Sequence, residues 1–196
     1  MDLKTALNIV VRPGLKFLPE KMRTSAAEVM LLSIAQQESR LRHRRQIRGP
    51  AHGFYQFENG GGIKGVLNHR STKEHVDKVL SILEIQPGEA YDAVIYNDIL
   101  ATVFARLLLW ADARPLPKLN AGHDETWASY ISAWRPGKPH RETWDEFHAK
   151  ALECCKSNAV VDEETAKSGD VVNITNVEMV NESGDSIMLH GNWMIK

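Results

Sequence analysis

Glu38 is the residue of this chain best placed for acid–base chemistry. It lies in Ile34-Ala35-Gln36-Gln37-Glu38-Ser39-Arg40-Leu41. Ala27, Leu31, Ile34, Glu38 and Leu41 recur at alternating spacings of four and three, which puts them on one stripe of an amphipathic helix. A carboxylate among apolar neighbours is costly to ionise, so its pKa rises. A carboxyl group still protonated near neutral pH is what a general acid requires. The competing structural reading is a Glu at the edge of the stripe that reaches water or pairs with an Arg of the cluster at 40–48, because structural ion pairs also perturb carboxylates.

The elements that must position Glu38 are predicted to be mostly helices. Ser25 and Glu28 form a capping box that starts the Glu38 helix. Before it, a short helix over 3–11 is expected to end at Pro13-Gly14. Residues 49–65 read as a loop or small hairpin region carrying Gly53-Phe54-Tyr55-Gln56 and Gly60-Gly61-Gly62. Ser71 and Glu74 make a second capping box for a helix reaching Glu84. Pro87-Gly88 precedes a long helix over 89–112, stopped by Pro115 and Pro117. Asp124 caps a helix to Trp134, Pro136 and Pro139 break the chain, and a last helix covers 141–156. Beyond it, 171–180 and 186–195 are polar and β-branched, with Asn181-Glu182-Ser183-Gly184 between them, and read as a hairpin or a loosely held tail. The expected organisation is one domain over 1–156 and an extension over 157–196.

Several chemistries are disfavoured by the residues present. The eight histidines are dispersed, and none stands at a His-Glu-x-x-His or Cys/His ligand spacing, so no metal is expected. Gly60-Gly61-Gly62-Ile63-Lys64-Gly65 lacks the Gly-Lys-Ser/Thr of a phosphate loop, and there is no Gly-x-Ser-x-Gly elbow. The formal net charge of −1 gives no bulk attraction to nucleic acid. The charge is uneven, however: Arg40, Arg42, Arg44, Arg45 and Arg48, with His43, form a basic cluster after the Glu38 helix. That cluster is either a cleft rim for an acidic ligand or a solvated helix end whose cations favour the C-terminal dipole. The two cysteines, Cys154 and Cys155, are adjacent and cannot staple a fold, which points to synthesis in a reducing compartment. The most apolar run, 95–110, contains Asn97, Asp98 and Arg106 and is too short to span a bilayer, so no membrane insertion is expected.

Between Glu38 and Gln56 the chain resembles the lysozyme-like lytic transglycosylases. Their signature is Glu-Ser closing a helix, a variable stretch, then Gly-Ala-x-Gly-Leu-Met-Gln. Glu38-Ser39 matches the pair, and Ala51, Gly53 and Gln56 fall at the family's spacing from it. Pro50 replaces the family's first Gly, and Phe54-Tyr55 replaces Leu-Met. On a later helix, Asn97, Ala101 and Phe104 occupy the places of the family's Asn, Gly and Tyr, with Asp98 for Ile. Ser129-Tyr130 through Pro136-Gly137 is similar to its Ala-Tyr-Asn-Ala-Gly-Pro-Gly, over a longer interval. The likeness spans roughly residues 20–150, and its specific part is Glu38 to Gln56.

The resemblance implies a mostly α, lysozyme-like (α+β) fold: a helical bundle around a cleft, with a small loop or hairpin region. It implies cleavage of the bond between N-acetylmuramic acid and N-acetylglucosamine, with a 1,6-anhydro product and no cofactor. Glu38 would be the catalytic residue, and Ser39, Tyr55, Gln56, Asn97 and Tyr130 would bind substrate. Glycoside hydrolysis ordinarily needs two carboxylates, and Glu58 and Asp98 are candidate seconds, so a water-using muramidase stays open. So does a non-catalytic virion or wall-binding component. Trp127, Trp134 and Trp144 are candidates to stack on sugar rings or to fill the core. The expected partners are peptidoglycan strands, together with virion or tail proteins through the C-terminal extension. The start of the chain lacks a secretory pattern, so the expectation is a phage-encoded protein made in the host cytoplasm and delivered by a virion or holin.

Overall fold

Asp2 starts the first helix, accepting the Thr5 backbone N–H at 2.8 Å and the Thr5 hydroxyl at 2.7 Å. The structure, a computed structural model, describes residues 1–168, 177–180 and 186–189. The chain is mostly helical. Two units separate by their internal contacts, Met1–Ala159 and Val160–Lys196.

In the first unit, α1 (Leu3–Ala6) runs through a π-helical stretch, Leu7–Val11, into α2 (Arg12–Lys16). Pro13-Gly14 therefore does not end the helix, contrary to expectation. Pro13 falls at the start of α2, and the wider π turn before it accommodates a ring that would crowd a regular turn. Next comes α3 (Ser25–Ser39), the helix of Glu38. Its N-cap is Thr24, whose hydroxyl accepts from the Ala27 N–H at 3.2 Å, and not Ser25. Glu28 does not reach back to complete a capping box; its carboxylate takes the Arg12 Nε–H at 3.0 Å. Nor is α3 a one-striped helix. Val29, Met30, Ser33 and Ala35 are buried together with Ala27, Leu31 and Ile34, so it is a core helix covered on several sides.

The 49–65 region forms no regular strand. His52 exchanges backbone hydrogen bonds with Phe57 at 2.9 and 2.8 Å and bridges Arg45 on its other side. Gly53 sits inside this turn at φ +74, where an added Cβ would stand 2.6 Å from the Val94 carbonyl oxygen, so both conformation and space call for glycine. The glycine run lies in a π-helical turn, Asn59–Ile63, that leads into α4 (Lys64–Asn68). After it, α5 (Lys73–Ile82) begins from Thr72 and stops short of Glu84. Ser71 is not its cap, because its hydroxyl pairs with His69 Nδ1 at 2.8 Å.

The expected helix over 89–112 is broken. A short 3-10 turn, Pro87–Glu89, leads to α6 (Ala90–Tyr96), and α7 (Asp98–Ala111) leaves it at 117°. Asn97 is the hinge: its backbone is extended and its side chain accepts the Leu100 N–H at 2.9 Å. The central element is α7, packed against α2, α3, α4, α5 and α6. Gly14 lets α2 approach it, since a Cβ there would stand 2.9 Å from Thr102 Cβ. Gly122 precedes α8 (His123–Trp134), while Asp124 pairs with Arg141 at 2.7 Å instead of capping. The last helix, α9 (Arg141–Ser168), runs beyond the expected end at 156. No single helix among the described residues is long and apolar enough to cross a membrane.

In the second unit, β1 (Val177–Val180) pairs antiparallel with β2 (Ser186–Leu189), Val177 opposite Leu189. The turn expected at 181–184 and the strand residues expected at 171–176 and 190–195 lie outside the described residues.

Candidate active site

Glu38 occupies the last turn of α3 and meets Tyr130 of α8, whose hydroxyl donates to Glu38 Oε1 at 2.6 Å. Burial pushes the Glu38 carboxyl from its ordinary 4.5 up to about 7, and the Tyr130 hydrogen bond pulls in the opposite direction. Tyr130 is itself held firmly. Its ring stacks on Trp144 at 4.9 Å and packs against Trp127 at 5.2 Å. Trp144 is fully buried and its indole N–H donates to Thr126 Oγ1 at 3.0 Å. An aromatic wall therefore fixes the group that fixes the carboxyl.

Glu38 opens onto a cleft of about 1310 Å³ that Gln56, Glu58, Asp112, Tyr130 and Trp134 also line. Gln56 ends the turn that starts at Gly53. Its amide nitrogen donates to the carbonyls of Gly53 at 2.8 Å and His43 at 3.2 Å. Both amide hydrogens are thereby engaged by backbone, and the side-chain oxygen is left as the acceptor for a ligand. The Trp134 indole donates to the Tyr55 carbonyl at 2.9 Å, tying this turn to the end of α8. Of the three tryptophans singled out in the sequence, Trp134 alone lines the cleft, whereas Trp127 and Trp144 pack with Tyr130.

Other expected site residues lie elsewhere. Ser39 is buried; its hydroxyl donates to the Ala35 carbonyl at 3.0 Å and accepts the Leu41 N–H at 3.2 Å, which closes the helix end. Tyr55 is a core residue, 1 % exposed, with its hydroxyl 3.1 Å from Thr102 Oγ1 and its pKa raised by burial. Asn97 is the cap of α7. Asp98 is held by Arg44 through two hydrogen bonds of 3.0 and 2.6 Å, and with Asn97 it borders a separate hollow beside Met1 and Ile9. None of these four lines the cleft.

The arginine cluster after α3 does not form the cleft rim. Arg40 lies over the Phe147 ring at 4.2 Å, Arg44 over Phe54 at 4.3 Å, and Arg45 donates to the Tyr96 hydroxyl at 3.2 Å. The cations that do line the cleft are Arg114, Arg135 and Lys138. A further carboxylate on the cleft, Asp112, belongs to no recognisable motif. The Arg114 side chain donates to it at 3.0 and 2.5 Å, the Arg114 N–H at 3.0 Å, and the Ser132 hydroxyl at 3.2 Å. These donors, the Arg114 side chain foremost, hold Asp112 well below the usual carboxylate range. The only sequence signal was an Asp two residues before an Arg at a helix end, which is an ordinary way to stop a helix.

The cleft thus brings together a carboxyl that keeps its proton and a carboxylate that has lost it. Such a pairing divides acid from base or electrostatic roles. Among the described residues no group of three His, Cys, Asp or Glu is placed to hold a metal. No family model, curated protein or solved structure matches this chain.

Proposed function

We propose that the first unit is a lysozyme-like lytic transglycosylase that cleaves the β-1,4 bond between N-acetylmuramic acid and N-acetylglucosamine. The observation that carries the reading is Glu38: a half-buried carboxyl at the wall of an open cleft, raised to about 7, and oriented by Tyr130. The likeness of Glu38-Ser39 and Gln56 to that family supports the choice of substrate. Protonated Glu38 gives its proton to the glycosidic oxygen as the bond to the anomeric carbon breaks. The substrate's acetamido oxygen bonds to that carbon and carries the positive charge. Glu38, now anionic, takes the proton of the C6 hydroxyl as its oxygen displaces the acetamido group, and the 1,6-anhydro ring closes without water. Gln56 Oε1 is suited to accept the acetamido N–H.

Asp112 favours a second reading, a water-using muramidase, because an anion fixed on the same cleft is the kind of group that orients water or stabilises a cationic carbon. Digestion of peptidoglycan sacculi and mass spectrometry of the sugars separates the two. Anhydro-muramyl ends, one water lighter than hydrolysis products, are expected, and Glu38→Gln is expected to abolish them in a folded protein. Reducing muramyl ends would replace the first reading with the second. Binding without soluble products would instead leave a wall-binding component.

A further inference from the structure

Arg135 ends α8 in the left-handed region at φ 48, with its N–H donating to the Ile131 carbonyl at 3.0 Å. The chain continues as Pro136-Gly137-Lys138-Pro139-His140. Both ends of this loop are tied to the site. At the near end, Trp134 is bonded to the Tyr55 carbonyl. At the far end, Gln37, the residue before Glu38, donates to the His140 carbonyl at 2.9 Å and accepts from the Thr143 hydroxyl at 3.0 Å. Two prolines stiffen the span between. Arg135 and Lys138 are exposed on this tethered loop and line the cleft.

The charges of the cleft do not cancel. Arg114 is matched by Asp112, and His140 faces Glu142 at 2.9 Å. The Glu38 carboxyl, raised to about 7 by burial, is mostly neutral below that pH. Among the described residues the Arg135 side chain reaches only the Ser132 carbonyl, with Nε at 3.4 Å, so that its other donors have no partner there. Neither Arg135 nor Lys138 has a carboxylate partner among the described residues. Exposed Glu58 is the acid left against these two cations.

We propose that Arg135 and Lys138 form an anionic subsite that takes carboxylates carried by the glycan strand, either those of the attached peptides or the lactyl carboxylate left free where a peptide has been removed. The inference rests on the peptidoglycan reading and narrows it to strands that bear negative charge. Arg135 supplies a planar fork suited to two-point binding of a carboxylate, and Lys138 a mobile point charge. Exposed pairs of this kind contribute modestly and are screened by salt.

The test is binding by the Glu38→Gln protein, which leaves the glycan intact. The probes are whole sacculi, peptide-stripped glycan strands bearing lactyl carboxylates, and neutral chito-oligosaccharide, each at low and high salt. With Arg135→Gln and Lys138→Gln combined, affinity for whole sacculi should fall about tenfold at low salt, with most of its salt dependence lost. Affinity for the neutral oligosaccharide should stay unchanged. A loss on whole sacculi alone identifies the peptide carboxylates, a loss on stripped strands alone the lactyl carboxylate bared when the peptide is removed, and a loss on both a subsite that takes either. Unchanged affinity and salt dependence on both charged glycans would overturn the subsite while leaving the peptidoglycan reading in place. An equal loss on the neutral oligosaccharide would overturn it too, by showing a structural effect. A Glu38→Gln protein that binds none of the three glycans would refute the peptidoglycan reading itself.

Discussion

Tyr130 does two opposed things to Glu38. Its ring helps to bury the carboxyl, which favours the proton, and its hydroxyl donates to Oε1, which favours the anion. Tyr130→Phe keeps the ring on Trp144 and removes only the donor. The Glu38 pKa should then climb above about 7, and the alkaline limb of kcat/KM, where the general acid loses its proton, should move up by about one unit, as expected for loss of a hydrogen bond to a charged group. A pH profile of sacculus solubilisation reads this directly; a limb that stays fixed or moves down would mean that another group sets it. The same pair shows what a sequence can say about a site. Glu38, Gln56 and Tyr130 were legible because each falls at a place a known pattern specifies, and all three line the cleft. Tyr55 and Asn97 also fall at pattern positions, yet one faces Thr102 in the core and the other caps a helix. Spacing fixes where a residue stands along the chain; it does not fix which side of a turn its side chain takes when the partner lies 47 positions away. Asp112 had no legible partner beyond Arg114, because Ser132 reaches it from another helix.

At the scale of elements, the break at Asn97 shows where local propensity ran out. The apolar run on both sides reads as one helix, and asparagine is only mildly unfavourable inside one. The 117° bend lets α7 run through the middle of the fold while α6 turns away, and a polar residue able to cap is what the corner needs. Pro13-Gly14 failed in the other direction: a pair that usually ends a helix lies inside one, because a π turn precedes the proline and close contact with Thr102 uses the glycine. Helix existence was legible from periodicity and punctuation, whereas caps and breaks answered to neighbours distant in sequence. If Asn97 is a cap and touches no substrate, Asn97→Ala should cost about 1 kcal/mol, a fall of about 2–4 °C in Tm. Asn97→Asp should restore most of that loss, since its carboxylate accepts the same N–H. Both variants should retain full activity per folded molecule. Reduced turnover in a fully stable Asn97→Asp protein would return Asn97 to the list of substrate-binding residues.

For the molecule as a whole, Glu38 is a stability cost that varies with pH. Its pKa is about 7 in the fold against 4.5 as an ordinary value, and it is half-buried. Below pH 4.5 the carboxyl is neutral in both folded and unfolded chains, so it imposes no ionisation penalty. As pH rises from 4.5 to 7, the unfolded chain releases the proton while the folded chain retains it, and stability falls by up to about 1.4 kcal/mol per pH unit. Above 7 both forms are ionised, and the loss levels off at about 3 kcal/mol. Glu38→Gln has no charge to bury and keeps an oxygen for the Tyr130 hydroxyl, so it escapes the penalty. The Glu38→Gln variant should therefore be more stable than the parent by about 3 kcal/mol at pH 8, with the gap closing below pH 4.5. Urea unfolding followed by tryptophan fluorescence at several pH values measures that gap. A gap that does not change with pH would mean that Glu38 ionises like an exposed carboxylate, and a general acid working near neutrality would then have to be sought elsewhere in the cleft. A gap that opens between pH 4.5 and 7 would tie the proton held in the fold to the proton the proposed reaction spends.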